Sequence, residues 1–334
     1  MRIVGVGGGT GLPVLLTGLK ELSQAGEQLD ITAIVTVADS GGSTGVLREA
    51  FDMPAMGDVR KCMIALAPAR SVLTSICRHR FESPDRFAGH SFGNLFLSAL
   101  YQMSGSFTSA VRQACDLLQL NGRVLPATDR PVTLCAVYKD GCIAREESNI
   151  PQIGRRIRRV WLEPTLPPPA PGVIEAIEQA DVIVLGPGSL YTSIIPNLLV
   201  AGVPEAVYKS YAVKIYVTNL MTQPGETDGY SAADHLRVML EYIPCIDLCV
   251  LNSSRVGMPV AQRYLEFGSA IVAATPEDED EIRRSGVVPI ASSLLDDGEV
   301  KARHDPASLA HLVVSLSRGF SGVTQIICMQ ENGR

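Results

Sequence analysis

The sequence predicts an α/β fold built on a doubly wound, mainly parallel sheet, with a small β-rich excursion. Three observations predict it. Short continuous apolar runs recur along the chain, they end in Gly, Asp or Asn, and segments with helical spacing follow them. Strands of a parallel sheet are buried on both faces, so they read as unbroken apolar runs rather than alternating ones. Helices between the strands then cover the two faces.

The elements follow in order. Ile3 to Val6 leads into Gly7-Gly8-Gly9-Thr10-Gly11, then into Leu12, Leu15, Leu16 and Leu19 at helical spacing. Ile31 to Ala38 leads into Asp39-Ser40-Gly41-Gly42-Ser43-Thr44-Gly45. Residues 58 to 120 read as mainly helical. Val132 to Tyr138 and Cys142 to Ala144 flank Lys139-Asp140-Gly141, a hairpin signal. Residues 123 to 170 are therefore expected to leave the sheet as a β-rich excursion of one domain, residues 1–320, with 321–334 as a tail. The proline-rich stretch Pro164 to Pro171 leads back to the sheet. Val182 to Leu185, Val213 to Thr218, Leu248 to Leu251 and Val287 to Ile290 supply further strands.

Helix punctuation agrees. Ser231 and Asp234 have capping-box spacing ahead of Leu236, Met239 and Leu240. Asp305 before Pro306 reads as an N-cap opening a helix to about Arg318. Glu277 to Glu281 followed by Arg283, Arg284 and Gly286 orders charge as a helix dipole prefers.

Composition sets limits. The 334 residues are 46% hydrophobic and 19% charged, which suits a globular fold. With a net charge of -6 and no extended basic region, nucleic acid is not an expected partner. The run Arg155, Arg156, Arg158 and Arg159 reads as a solvated strand edge. No apolar run reaches the roughly 18 residues of a membrane span, and no signal-peptide pattern precedes Ile3. The eight cysteines lack any Cys-x-x-Cys pair, which fits reduced core thiols in a cytoplasmic protein.

Four loops carry the polar chemistry. In the first, Gly8, Gly9, Thr10 and Gly11 join a strand to a helix, where bare backbone approaches a ligand and the helix N-terminus attracts anions. Thr10 occupies the last place of the dinucleotide fingerprint, and no Walker A lysine loop occurs. In the second, Asp39, Ser40, Gly41 and Gly42 follow a strand, where a carboxylate suits a ribose hydroxyl, a hard cation or a turn cap. Asp58 offers another carboxylate, as a ligand group or as a cap of the helix holding Met63 and Leu66. The third loop supplies backbone amides and four hydroxyls suited to phosphate oxygens: Gly186, Pro187, Gly188, Ser189, Tyr191, Thr192 and Ser193. No Gly-x-Ser-x-Gly elbow makes Ser189 a nucleophile. In the fourth, Asn219, Thr222 and Gln223 have groups able to read a base or a sugar. His90 and Asn94 lie around a helix start; Asn94 joins the candidate site, and His90 reads as structural. No catalytic residue is assigned.

Together these loops resemble the CofD/YvcK-like family. The matching pieces are Val6 to Leu12, Val35 to Arg48, Pro54 to Arg60, Gly89 to Leu95, Leu125 to Asp129, Asp181 to Leu199 and Asn219 to Gly225. The loops at Asp39 to Ser43 and Gly186 to Ser193 look like the YvcK, or gluconeogenesis-factor, branch. The resemblance implies a Rossmann-like core. It also implies a cytoplasmic regulator that binds a UDP-sugar such as UDP-GlcNAc and is needed for cell shape and wall synthesis on gluconeogenic carbon. A regulatory protein partner and a homo-oligomer are expected with it. The other branch is a transferase that moves phospholactate from a nucleotide diphosphate donor to a deazaflavin, with magnesium held by aspartates. Asp39 and Asp58 match two of those aspartates, so magnesium beside a bound diphosphate is expected to use them, while Ser40 stands where the transferase branch carries a second carboxylate. The alternatives kept open are that transferase and a redox enzyme using a dinucleotide.

Overall fold

The computed structural model describes residues 1–82, 88–254, 257–296 and 302–331. The first half runs β1 (Arg2–Gly7), α1 (Leu12–Gln24), β2 (Asp30–Val35), α2 (Gly42–Phe51), α3 (Gly57–Leu66), α4 (Val72–Arg78), α5 (Phe92–Ser104), α6 (Phe107–Leu118) and β3 (Arg123–Pro126). A β-rich segment follows, with β4 (Thr133–Tyr138), β5 (Ile143–Arg145) and β6 (Ile157–Glu163). The second half runs α7 (Val173–Glu178), β7 (Val182–Leu185), α8 (Ile195–Leu198), α9 (Val203–Lys209), β8 (Val213–Val217), α10 (Ala232–Tyr242), β9 (Leu248–Asn252), α11 (Met258–Glu266), α12 (Pro276–Arg284), β10 (Val288–Ser292) and α13 (Pro306–Glu331).

Seven strands form one sheet in the order β10-β9-β8-β7-β1-β2-β3, and its pairings are parallel. The chain winds outward from β1 through β2 to β3, then returns to the other side of β1 with β7. The order therefore reverses between β1 and β7, which opens a crevice beyond their carboxyl ends. The central strands β7, β8 and β9 are buried at every position, as their unbroken apolar runs required. The edge strands β3 and β10 carry Pro126 and Pro289, residues tolerated where one strand side lacks a ladder partner.

The antiparallel sheet β5-β4-β6 is the expected excursion, with the hairpin turn at Lys139 to Gly141. Its start needs correction. Arg123–Pro126 pairs in parallel with β2 and belongs to the main sheet. Arg158 and Arg159 lie exposed on the edge strand β6, as read from the arginine run.

Local signals act where expected. Ser231 and Asp234 make a reciprocal capping box at α10. Thr275 caps α12, which is acidic in its first turn and basic in its last. The helix opened by Asp305-Pro306 runs to Glu331, beyond the expected Arg318. In α1, Leu12, Leu15, Leu16 and Leu19 are fully buried, each contributing about 2 kcal/mol by burial. Gly18 lets α1 approach α13 so closely that a β-carbon there would lie 1.9 Å from the Pro306 carbonyl oxygen. Among the described residues no single helix is long and apolar enough to cross a membrane.

Candidate functional site

The first and third loops leave β1 and β7, the two strands at the reversal. They pack backbone against backbone: a β-carbon at Gly11 would lie 2.3 Å from the Pro187 carbonyl oxygen, so no larger residue fits. The third loop then makes a single π-helical turn, Leu190–Ile194. Ser189 caps it, accepting from the Thr192 amide at 3.3 Å and from the Thr192 hydroxyl at 2.7 Å.

These loops floor a cleft of about 410 Å³, a size within the range of small-ligand sites. Gly9, Thr10, Gly11, Pro187, Gly188 and Ser189 line it, and so do Thr192 and Ser193. From the fourth loop come Asn219, Thr222 and Gln223. Asn219 Oδ1 accepts from the Gly188 amide at 3.2 Å, so one wall of the cleft holds an amide of another. Thr222 is fixed by Ala270, with a bond in each direction at 2.8 Å.

Asp39 and Asp58 come together beside the first loop. The Gly9 amide donates to Asp58 Oδ2 at 2.5 Å, and Lys61 Nζ donates to Oδ1 at 2.8 Å. Asp58 lies in the first turn of α3 but does not cap it, because its oxygens are taken by these two donors. Asp39 Oδ1 accepts from the Gly41 amide at 2.9 Å. Burial, and next the charge of Asp58, raise the Asp39 carboxyl above its usual range.

The remaining predicted residues lie elsewhere. Ser40 shares hydrogen bonds at 3.1 Å with the hydroxyl and the amide of Ser148. Gly41 and Gly42 cap and open α2. Asn94 is buried, with Nδ2 donating to Ser43 Oγ at 3.1 Å, and its Oδ1 accepts nothing from the described residues. His90 holds the same Ser43 hydroxyl through Nδ1 at 3.0 Å, the structural role expected of it. Tyr191 does not join the cleft. Its hydroxyl meets that of Tyr230 at 2.9 Å in a different cavity, because consecutive residues of the π-helical turn face different sides.

Among the cleft residues that sequence reasoning missed are four with charged or imidazole side chains: Glu147, Glu226, Arg303 and His304. Glu226 sits inside the fourth loop and takes hydrogen bonds from Ser189 and Thr192. Burial pushes its carboxyl up to about 7, against the lowering effect of those two hydroxyls. Glu147 comes from the excursion, and burial, then Asp39, Asp58 and Glu226, push it to about 7 as well. Burial brings His304 down to about 4, and the Arg303 guanidinium lines the same wall. Only Glu226 had a sequence signal, its place in an already suspected polar loop.

A parallel sheet with glycine loops meeting over its reversal point defines a Rossmann-type α/β protein. The family model for the 2-phospho-L-lactate transferase CofD matches residues 3–295, and the chain belongs to that family. Its curated relatives include the gluconeogenesis factor of Bacillus subtilis, 41% identical over 94% of this chain and 98% of that protein. The gluconeogenesis factor of Halalkalibacterium halodurans is 40% identical, over 94% and 95%. An X-ray structure of a Bacillus halodurans protein superimposes with a TM-score of 0.89 at 39% identity, covering 93% of this chain and 98% of that one. A second crystal structure, titled a member of the UPF0052 family, gives 0.88 at 39% identity, covering 94% and 98%.

Proposed function

We propose that the cleft binds a UDP-sugar, UDP-GlcNAc being the first candidate, and that the protein is a cytoplasmic regulator rather than a catalyst. The observation that carries this reading is the direct contact of the glycine loops after β1 and β7, which open on one polar cleft. Backbone amides of these loops and the Ser193 hydroxyl suit a diphosphate, while the Ser189 and Thr192 hydroxyls are held by Glu226 and by each other. Thr222, Gln223 and Asn219 suit the uracil or the sugar. Asp39 and Asp58 are the residues that would hold a magnesium ion, which would neutralise a bound diphosphate beside them, because one or two carboxylates with phosphate oxygens make a common magnesium set. The Asp39 carboxyl is raised first by burial and next by Asp58, which a cation between the two carboxylates would offset.

The names of the relatives support a role in growth on gluconeogenic carbon. Control of cell shape and wall synthesis, acting through a protein partner or a homo-oligomer, is the function proposed within it. Against the transferase reading stands Ser40. It replaces the carboxylate of that branch, and its hydroxyl is spent on Ser148. Calorimetric titration of UDP-GlcNAc, GDP and NAD, with and without magnesium, tests the proposal. Tight UDP-GlcNAc binding without product supports it. Phospholactate transfer to a deazaflavin, lost in Asp39→Ala, overturns it.

A further inference from the structure

The tyrosines excluded from the cleft line a second cavity, of about 420 Å³, beside β6 and α10. Four cations line it as well: Lys139 from the hairpin turn, Arg156 and Arg158 at β6, and Arg237 on α10. Two carboxylates face them. Asp234 is already engaged, with one oxygen taken by the Ser231 amide and the other by Arg237. Glu241 is exposed at the cavity wall. Arg237 also pairs with Glu281. Among the described residues Lys139, Arg156 and Arg158 make no ion pair, although Arg156 lies 5.4 Å over the Tyr230 ring and its charge reaches Asp234. Three cations converge in a chain whose net charge is -6.

The tyrosines add a donor. Their hydroxyls lie 2.9 Å apart, so one proton is shared between them and the other O–H is left to donate elsewhere. An anion with several acceptor oxygens satisfies that hydroxyl and the free cations together.

We infer that this cavity is a second ligand site, for the phosphate group of a small phosphorylated molecule, separate from the nucleotide cleft. The arginine forks grip oxygens in pairs, while Lys139 adds a point charge at the rim. The two sites are joined by one turn. Tyr191 faces the second cavity, and its neighbours Thr192 and Ser193 face the cleft. An occupant of the second site therefore braces the turn that the diphosphate would contact.

Pyrophosphate titrated by calorimetry at constant ionic strength tests the inference, with hydrogen exchange to locate the response. Wild type and Gly188→Val are both expected to bind it, with protection at residues 156–158 and 230–241. The double variant Arg156→Gln/Arg158→Gln is expected to lose at least tenfold in affinity at this site. Lys139→Glu, an exposed change on a turn that leaves the core untouched, is expected to weaken binding in the same direction. Absence of saturable binding in wild type overturns the inference. So does binding lost only in Gly188→Val, which assigns the anion to the cleft, or equal affinity in all the variants.

Discussion

The hydroxyl of Ser189 donates to the carboxylate of Glu226, tying the cap of the π-helical turn to the fourth loop. That carboxyl titrates near 7 in the folded protein and near 4.5 when unfolded. Between those values the folded state holds the extra proton, so this group's contribution to stability is fully present below about 4.5, is lost as pH rises through about 7, and levels off above it. Glu226→Gln is expected to remove Glu226's share of this decline, leaving the share that Glu147 contributes with the same sign, and to be more stable than wild type at pH 8, by about 2 kcal/mol. Denaturant midpoints of both proteins across this pH range measure it, and parallel curves would sink the assignment.

Asp39 has the same sign. Its folded carboxyl is raised by burial and by Asp58, so its charge costs stability at neutral pH. Asp39→Asn is expected to raise the melting temperature of the free protein and to abolish any magnesium enhancement of UDP-sugar affinity. A stabilising change that weakens binding marks a site strained for function. Calorimetry with and without magnesium reads the second half.

Two glycines separate folding from binding. Gly11 is pressed on the Pro187 backbone, so Gly11→Val is expected to cost about 3 kcal/mol or more of stability. At Gly188 an added β-carbon meets only ordinary contacts, Ser193 at 3.5 Å and the Gly8 carbonyl at 3.7 Å, although φ is +151°. Gly188→Val is expected to fold at a cost of about 1–3 kcal/mol from its strained φ, and to bind UDP-sugar at least tenfold more weakly. Thermal melts beside calorimetry distinguish the two outcomes.

Ser40 anchors the short helical turn that brings Glu147 to the cleft. Ser40→Ala is expected to cost about 1 kcal/mol and to speed amide exchange across residues 146–153. Unchanged exchange there would show that the turn is held by other contacts.

Much of this fold was legible because a doubly covered sheet demands unbroken apolar strands, and Val182–Leu185 and Leu248–Asn252 carry that mark. Arg123–Pro126 carries no such mark. Its four residues mix exposed and buried positions and end in proline, which is what an edge strand permits. In the cleft, glycines and hydroxyls announced the first and third loops. Glu147, Arg303 and His304 did not announce themselves, since they reach the cleft from segments with no period and no motif. Tyr191 misled because adjacency in sequence says nothing of which wall a π-helical turn presents.

The close seat of α13 on α1 at Gly18 also bears on biogenesis. The apolar stripe of the first helix is completed by a helix that begins at residue 306. During synthesis the β1–α1–β2 unit leaves the ribosome early but cannot finish its outer layer until that late segment emerges. Such distant pairing slows folding and leaves apolar surface open meanwhile, so the nascent chain is a natural client for chaperones until residues 306–320 dock.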